Sequence, residues 1–262
     1  MPLFNDGPIN QDQDLATYEN GILTLAAQEQ IDLGGKIKLA QQDIGRQLLT
    51  LLLKQETRSP FTNWIDPQDT LRRQIGMGDV VVTDPLQQWH AMRTLSMVYR
   101  DAYNNQLNDR YQKKWQEYQQ LEQGAKELLY VIGVGLVGYP LPAPGSLSLT
   151  FQPGTGPGGS FWAQVTWLNQ LNQESAAGPA ATIAITPGTE LTVTAPAAPQ
   201  FATGWNVYAG TLPTVTARQN AAPNALGTVW TMAAGGLVTG NAPGPGQVPD
   251  YYVMDTHVLP RG

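Results

Sequence analysis

The stretch YVIGVGLVGYPLPAPG, residues 130–145, places Gly133, Gly135 and Gly138 at the G-x-G-x-x-G spacing that cradles a dinucleotide pyrophosphate. That motif works only when a strand precedes it, a helix opens on it, and an acidic side chain follows about 20 residues later to hold a ribose hydroxyl. Here Pro140, Pro142 and Pro144 follow instead, removing amide donors and driving each preceding residue out of the helical region. The first acid downstream is Glu174, beyond a Gly/Pro tract. No cofactor is expected. The stretch reads as a bend where a helix ends, then a stiff lead into a second domain.

Charge marks the same boundary. Of the 15 basic and 21 acidic residues in this 262-residue chain, only Arg218, Arg261, Glu174, Glu190, Asp250 and Asp255 lie beyond residue 140. The net charge of −6, without a basic block, argues against a phosphate-binding groove. No cysteine is present, so neither a disulfide nor a thiolate metal site is expected. Met1-Pro2-Leu3-Phe4-Asn5-Asp6 lacks the basic and apolar regions of a signal peptide, and no apolar run approaches the ~20 residues of a membrane span. These features predict a soluble, intracellular product with no membrane contact.

Before the boundary, apolar residues recur at helical spacing: Leu15, Tyr18, Ile22 and Leu25, then Ile37, Ala40, Ile44, Leu48 and Leu51, with Gly34-Gly35 between the two runs. Asp84-Pro85-Leu86-Gln87 starts a third helix, with Asp84 as cap and Pro85 at its first position. A fourth carries the stripe Leu107, Tyr111, Trp115, Tyr118, Leu121, Ala125 and Leu128, with Glu122 off it. Asp66-Pro67-Gln68-Asp69 reads as a short helical turn and Val80-Val81-Val82 as a short strand. The aromatic stripe, with Trp89, Tyr99 and Tyr103 on the third helix, reads as core or subunit contact rather than as a base-stacking platform, because its surroundings are not basic.

Beyond the boundary the period becomes two. Phe161, Ala163, Val165 and Trp167 alternate with Trp162, Gln164, Thr166 and Leu168, and further short runs are bounded by Gly, Pro or Asn. Several short strands with turns between them indicate a β-sandwich of immunoglobulin or fibronectin type, with Trp167 and Trp205 in its core. The tail YYVMDTHVLPRG has strand composition but no hairpin partner in sequence, so it either folds back on its own sheet or supplies a strand to a neighbouring chain. The predicted class is α+β: a helical domain over 1–132, a Gly/Pro linker over 133–145, the β-sandwich over 146–240 and an extended tail over 241–262.

Catalytic signatures are missing. His90 and His257 have no acidic or cysteine partner at ligand spacing, and neither the nucleophile elbow nor the phosphate loop is present. Asp14 and Asp66 precede apolar-periodic stretches and suit helix caps better than the acid/base pairs they would form with Asp12 and Asp69. The chain is not expected to be an enzyme.

The helical half, with PLQQWHAMRTLSMVYRDAY and NDRYQKKWQEYQQL, resembles the head-to-tail connector (adaptor) proteins of tailed bacteriophages. The β half, with VTWLNQLNQESA, GWNVYAG, QNAAPNALGTVWTM and GQVPDYYVMDTHVLPRG, is similar to fibronectin-like modules appended to such proteins. The resemblance implies a structural virion protein at the neck between capsid and tail, assembled in the host cytoplasm. It implies a homo-oligomeric ring of twelve subunits, docked on the portal protein, meeting a tail or nozzle protein, and passing double-stranded DNA without sequence-specific binding. The expected portal-docking tail is Tyr251, Tyr252, Val253, Met254, Val258, Leu259 and Arg261. The expected inter-subunit helix face is Leu49, Leu52, Leu53, Tyr111, Trp115 and Tyr118. The competing expectation is a tail or host-surface protein that binds glycan through Trp162 or Trp230, with the helices serving only to oligomerise it.

Overall fold

The computed structural model describes residues 1–58, 75–106 and 109–255, except for the side chains of residues 54–58. The expected turn at Asp66–Asp69, the stripe position Leu107, and His257, Val258, Leu259 and Arg261 lie outside the described residues. The chain is α+β and divides into two compact units that are not consecutive in sequence. One comprises Gly7–Leu136 and the chain from Pro249 on; the other comprises Met1–Asp6 and Val137–Val248. The chain therefore crosses between the units three times, after Asp6, Leu136 and Val248, where composition suggested a linker over 133–145 and a tail over 241–262.

The helical unit holds α1 (Asp12–Tyr18), α2 (Ile22–Gln28), α3 (Leu33–Arg58), α4 (Asp84–Gln106) and α5 (Asp109–Ile132). The single first helix expected from Leu15 to Leu25 is broken into α1 and α2, because Gly21 takes φ 102°, which a helix cannot pass through. Gly34 and Gly35 do not separate two helices; they lie in the first turn of α3. Asp32 accepts the Gly35 amide there at 3.0 Å, and a Cβ on Gly35 would come within 2.5 Å of that carboxylate. α4 is the central helix, with Leu86, Trp89, Leu95, Val98 and Ala102 all buried.

On α5 the buried residues are Tyr118, Ala125 and Leu129, whereas Leu121 and Leu128, expected on one stripe with Tyr118 and Ala125, are exposed. Glu122, expected mostly off the stripe, is half-buried and meets Arg93 of α4, whose Nη1 donates to both carboxylate oxygens at 2.9 and 3.2 Å. Gly133 closes the helix at φ 104°, and β1 (Val134–Leu136) follows. It pairs antiparallel with β9 (Tyr251–Val253), Leu136 opposite Tyr251, and bridges to Val80 on its other side.

The β unit has two antiparallel sheets. β2 (Ser148–Pro153), β5 (Thr189–Thr194) and β8 (Val229–Thr231) form one, in the order β2-β5-β8. β3 (Gly159–Leu168), β4 (Ala181–Ile185), β6 (Gly204–Leu212) and β7 (Val215–Arg218) form the other, in the order β4-β3-β6-β7. One core draws on both: Phe161, Val165, Trp167, Trp205 and Val207 from the second, Leu191 and Val193 from the first. Trp167 and Trp205 are direct cross-strand partners, as the alternation from Phe161 to Trp167 anticipates for the core face of β3.

Residues 137–145 are not a free spacer. Val137 and Leu141 are buried, the Leu141 amide donates to Gln247 Oε1 at 2.6 Å, and the Tyr139 carbonyl accepts from Gln247 Nε2 at 3.0 Å and Asn169 Nδ2 at 3.2 Å. Gln247, in a stretch whose composition suggests no packing, is itself buried. At the N-terminus Leu3 and Phe4 are buried, and Asp6 accepts the amides of Leu3 and Ala143 at 2.7 and 2.8 Å.

Candidate functional site

The six residues expected to face a neighbouring subunit separate into three groups. Leu52 and Tyr118 are buried within their own unit and are corrected to core positions. Tyr111 and Trp115 are half-buried, and only Leu49 (39 %) and Leu53 (41 %) are exposed. The aromatic groups are engaged inside the chain. Tyr118 stacks on Tyr99 at 5.4 Å between centroids and Trp115 on Tyr103 at 6.2 Å. The Tyr118 hydroxyl donates to Glu19 at 2.5 Å, and that of Tyr111 donates to Glu29 at 3.2 Å. Each carboxylate sits just after a short helix, so these bonds tie the ends of α1 and α2 to α5. Burial, reinforced by the Glu19 carboxylate, pushes the Tyr118 phenol well above its ordinary range.

Sequence reasoning missed the larger uncovered face. On α5, Leu121 (46 % exposed), Leu128 (45 %) and Val131 (74 %) fall at i, i+7 and i+10, a second apolar stripe beside the buried one. The signal was available: α5 has more apolar positions than one face holds, and its phase, not its period, decides which set turns inward.

The described part of the tail pairs within the chain. Tyr251, Tyr252 and Val253 pair antiparallel with Leu136, Gly135 and Val134, so one edge of β9 is taken within the chain and β9 is the edge strand of that sheet. The reason is close fit: a Cβ at Gly135 would lie 2.7 Å from Pro249 Cγ, so the return segment packs directly on the glycine. Tyr252 and Met254 keep exposed side chains.

The titratable clusters make their hydrogen bonds and ion pairs within their own units. His90, fully buried, donates from Nε2 to the Ile37 carbonyl at 3.0 Å and accepts from Asn10 Nδ2 at Nδ1, also at 3.0 Å. Burial pushes its pKa down to about 4, partly opposed by the Ile37 bond, so the ring is neutral and packed. Arg93 joins Glu122 of α5 to Asp43 of α3. The Arg46 and Arg93 guanidiniums hold Asp43 below the usual carboxylate range, while burial outweighs Arg93 and raises Glu122. In the β unit, Glu174 Oε1 accepts from Tyr208 Oη at 2.7 Å, from Asn206 Nδ2 at 2.9 Å and from Thr166 Oγ1. That network fixes the β3–β4 hairpin to the outer side of β6.

Among the described residues no group of three histidine, aspartate or glutamate side chains is placed to hold a metal, and no helix is long and apolar enough to cross a membrane. Trp162 and Trp230 are half-buried, and Trp230 packs against the β-unit core, leaving less ring surface for a sugar than a free aromatic presents. The sequence matches no protein-family model, and no curated protein is similar enough to count as a relative.

Proposed function

We propose that this chain is a head-to-tail adaptor of a tailed bacteriophage, a ring-forming structural protein that docks on the portal, joins it to the tail and forms part of the DNA channel. The observation that carries the proposal is the pair of uncovered apolar faces on α3 and α5, in a unit whose interior is already filled. Covering what remains exposed of one such leucine, less than half of its surface, is worth about 0.5–1.5 kcal/mol, so several of them together favour a permanent neighbour. The net charge of −6 suits a conduit, because a lumen that gripped phosphates would retard DNA.

In this reading the helical unit is a four-helix, bundle-like connector domain whose first helix is interrupted at Gly21. The β unit is a fibronectin/Ig-like module in which β2, β3, β4, β5, β6 and β7 take the B, C, C′, E, F and G places. β8 lies beside β5, at the edge where the D strand of an immunoglobulin domain sits. Tyr252 and Met254 are the described tail residues whose side chains are exposed, and this reading sets them against the portal. The half-buried state of Trp230 disfavours glycan binding through that residue.

Native mass measurement of the full-length protein, alone and mixed with the portal ring of the same genome, tests the proposal. One chain bound per portal subunit is the expected result. A chain that never binds the portal refutes the adaptor role.

A further inference from the structure

α1 is capped at Glu19 and α2 begins after Gly21, so Asn20 and Gly21 make the whole turn between them. The Ile22 amide donates to the Glu19 carbonyl at 3.1 Å across it, and Gly21, at φ 102° and ψ 1°, takes the third position of a type II turn. Both residues are exposed, and no atom comes within 4 Å of the place a Cβ on Gly21 would occupy. Among the described residues the Asn20 side chain makes no hydrogen bond and the Gly21 amide has no acceptor. On either side the chain is fixed: Leu15 and Ile22 are fully buried, and Glu19 is held by Tyr118 and Lys114 of α5.

Asn20-Gly21 is the one asparagine–glycine pair in the sequence. A glycine in second place leaves the following main-chain nitrogen without a flanking side chain, so that nitrogen can reach the asparagine carboxamide carbon. Asp6-Gly7, the one aspartate–glycine pair, is the internal contrast. The Asp6 carboxylate accepts the Leu3 and Ala143 amides at 2.7 and 2.8 Å and is held in place by them.

We propose that Asn20 is a site of spontaneous deamidation and isomerisation in the folded protein, with Gly21 supplying the nucleophile and water the second reactant. A type II turn sets its second residue at ψ of about +120°, which points the Gly21 nitrogen away from the Asn20 side chain. The reaction therefore waits on opening of the single Glu19–Ile22 bond and rotation of Asn20. The Gly21 nitrogen, having lost its proton to hydroxide, bonds to Asn20 Cγ; the Cγ–Nδ2 bond breaks and the side-chain nitrogen leaves as ammonia. Water then opens the five-membered imide. Cleavage between the Gly21 nitrogen and Cγ gives aspartate. Cleavage between that nitrogen and the Asn20 main-chain carbonyl carbon gives isoaspartate, whose main chain runs through Cβ and Cγ. The lengthened chain no longer closes the turn, so the junction of α1 and α2 loosens as the protein ages. The chemistry is independent of the adaptor role.

Full-length protein is incubated at pH 7 and pH 9, native and in urea, and the tryptic peptide of residues 1–36 is sequenced by mass spectrometry. Isoaspartate is scored by its methylation with isoaspartyl methyltransferase. The native protein should exchange NH2 for OH at Asn20, yield both isoaspartate and aspartate there, and react severalfold faster at pH 9 than at pH 7, with Asp6 unchanged. Asn20→Gln, whose longer side chain cannot close the five-membered ring, should remove the label and melt with the fresh wild type. Aged wild type should melt below both the fresh protein and Asn20→Asp. An Asn20 that stays intact in the native protein while the urea-unfolded chain converts would overturn the proposal. So would conversion of another asparagine first, a label at this turn that survives in Asn20→Gln, or aspartate without isoaspartate. An aged, isoaspartate-bearing chain that melts with the fresh protein would overturn the loosened junction.

Discussion

Protonating His90 would place a charge between the Asn10 amide and the Ile37 carbonyl, with one ring nitrogen forced to give up its acceptor role. Its folded pKa of about 4 lies below the unfolded value of 6.5, so its contribution to stability is complete above about pH 6.5. That contribution is lost as the pH falls through the window down to about 4, and amounts to about 3 kcal/mol. Denaturant titrations at pH 7 and pH 4 should show this loss for the wild type, and His90→Gln, whose amide can both donate and accept, should remove most of it. The sequence shows a lone histidine next to Trp89 on a helix, which already argues for packing. Its partner Asn10 is 80 positions away and carries no local mark, which is why the site's neutrality is legible only in three dimensions.

Two glycines at the ends of the same question show how position within an element sets the sign of a substitution. Gly133→Ala would force alanine to φ 104° and push its Cβ to 2.9 Å from that of Tyr252, a loss of about 1–3 kcal/mol. Gly124→Ala meets nothing within 4 Å in the helix interior and should raise the stability of the isolated chain by up to about 1 kcal/mol. Thermal unfolding of both variants tests the opposite signs. Arg93 acts between elements: Arg93→Met should cost about 2 kcal/mol by leaving Glu122 half-buried without its cation, and Glu122→Leu in the same chain should recover most of that. Equilibrium unfolding of the single and double variants measures the coupling. Helical period and strand alternation were both legible along the chain. The rotation of α5 was not, because Leu121 and Leu128 fit the same spacing as the buried set, and Glu122 is drawn inward by a residue 29 positions away.

At the scale of the molecule, the β unit is inserted where a hairpin loop would be. β1 and β9 are antiparallel partners, and the Asp250 amide donates to the Leu136 carbonyl at 2.8 Å, directly across the points of exit and return. Replacing residues 137–248 with Gly-Asn should leave a four-residue loop with Pro249-Asp250 and a helical unit that still unfolds cooperatively. Simple truncation after residue 145, which the composition boundary recommends, should lose that cooperativity with β9. Circular dichroism melts of the two shortened chains distinguish these outcomes. Closing a loop of that length costs an open chain about 4 kcal/mol of entropy. The folded β unit offsets this by holding its own ends together through Gln247, Tyr139 and Leu141, so Gln247→Leu should destabilise the protein by about 1–3 kcal/mol. The change of chemistry near residue 140 was legible from charge and proline, but the return of the tail was not, since no local pattern announces a partner more than a hundred residues upstream. The same pairing imposes an order on biosynthesis. A ribosome adding roughly 5–20 residues per second needs roughly 6–25 s to pass from β1 to β9. Throughout that interval the nascent helical unit lacks its closing strand. A message cut short anywhere before Tyr251 yields a product with the β9 side of β1 unfilled, so completion of the helical unit reports that translation has passed β9.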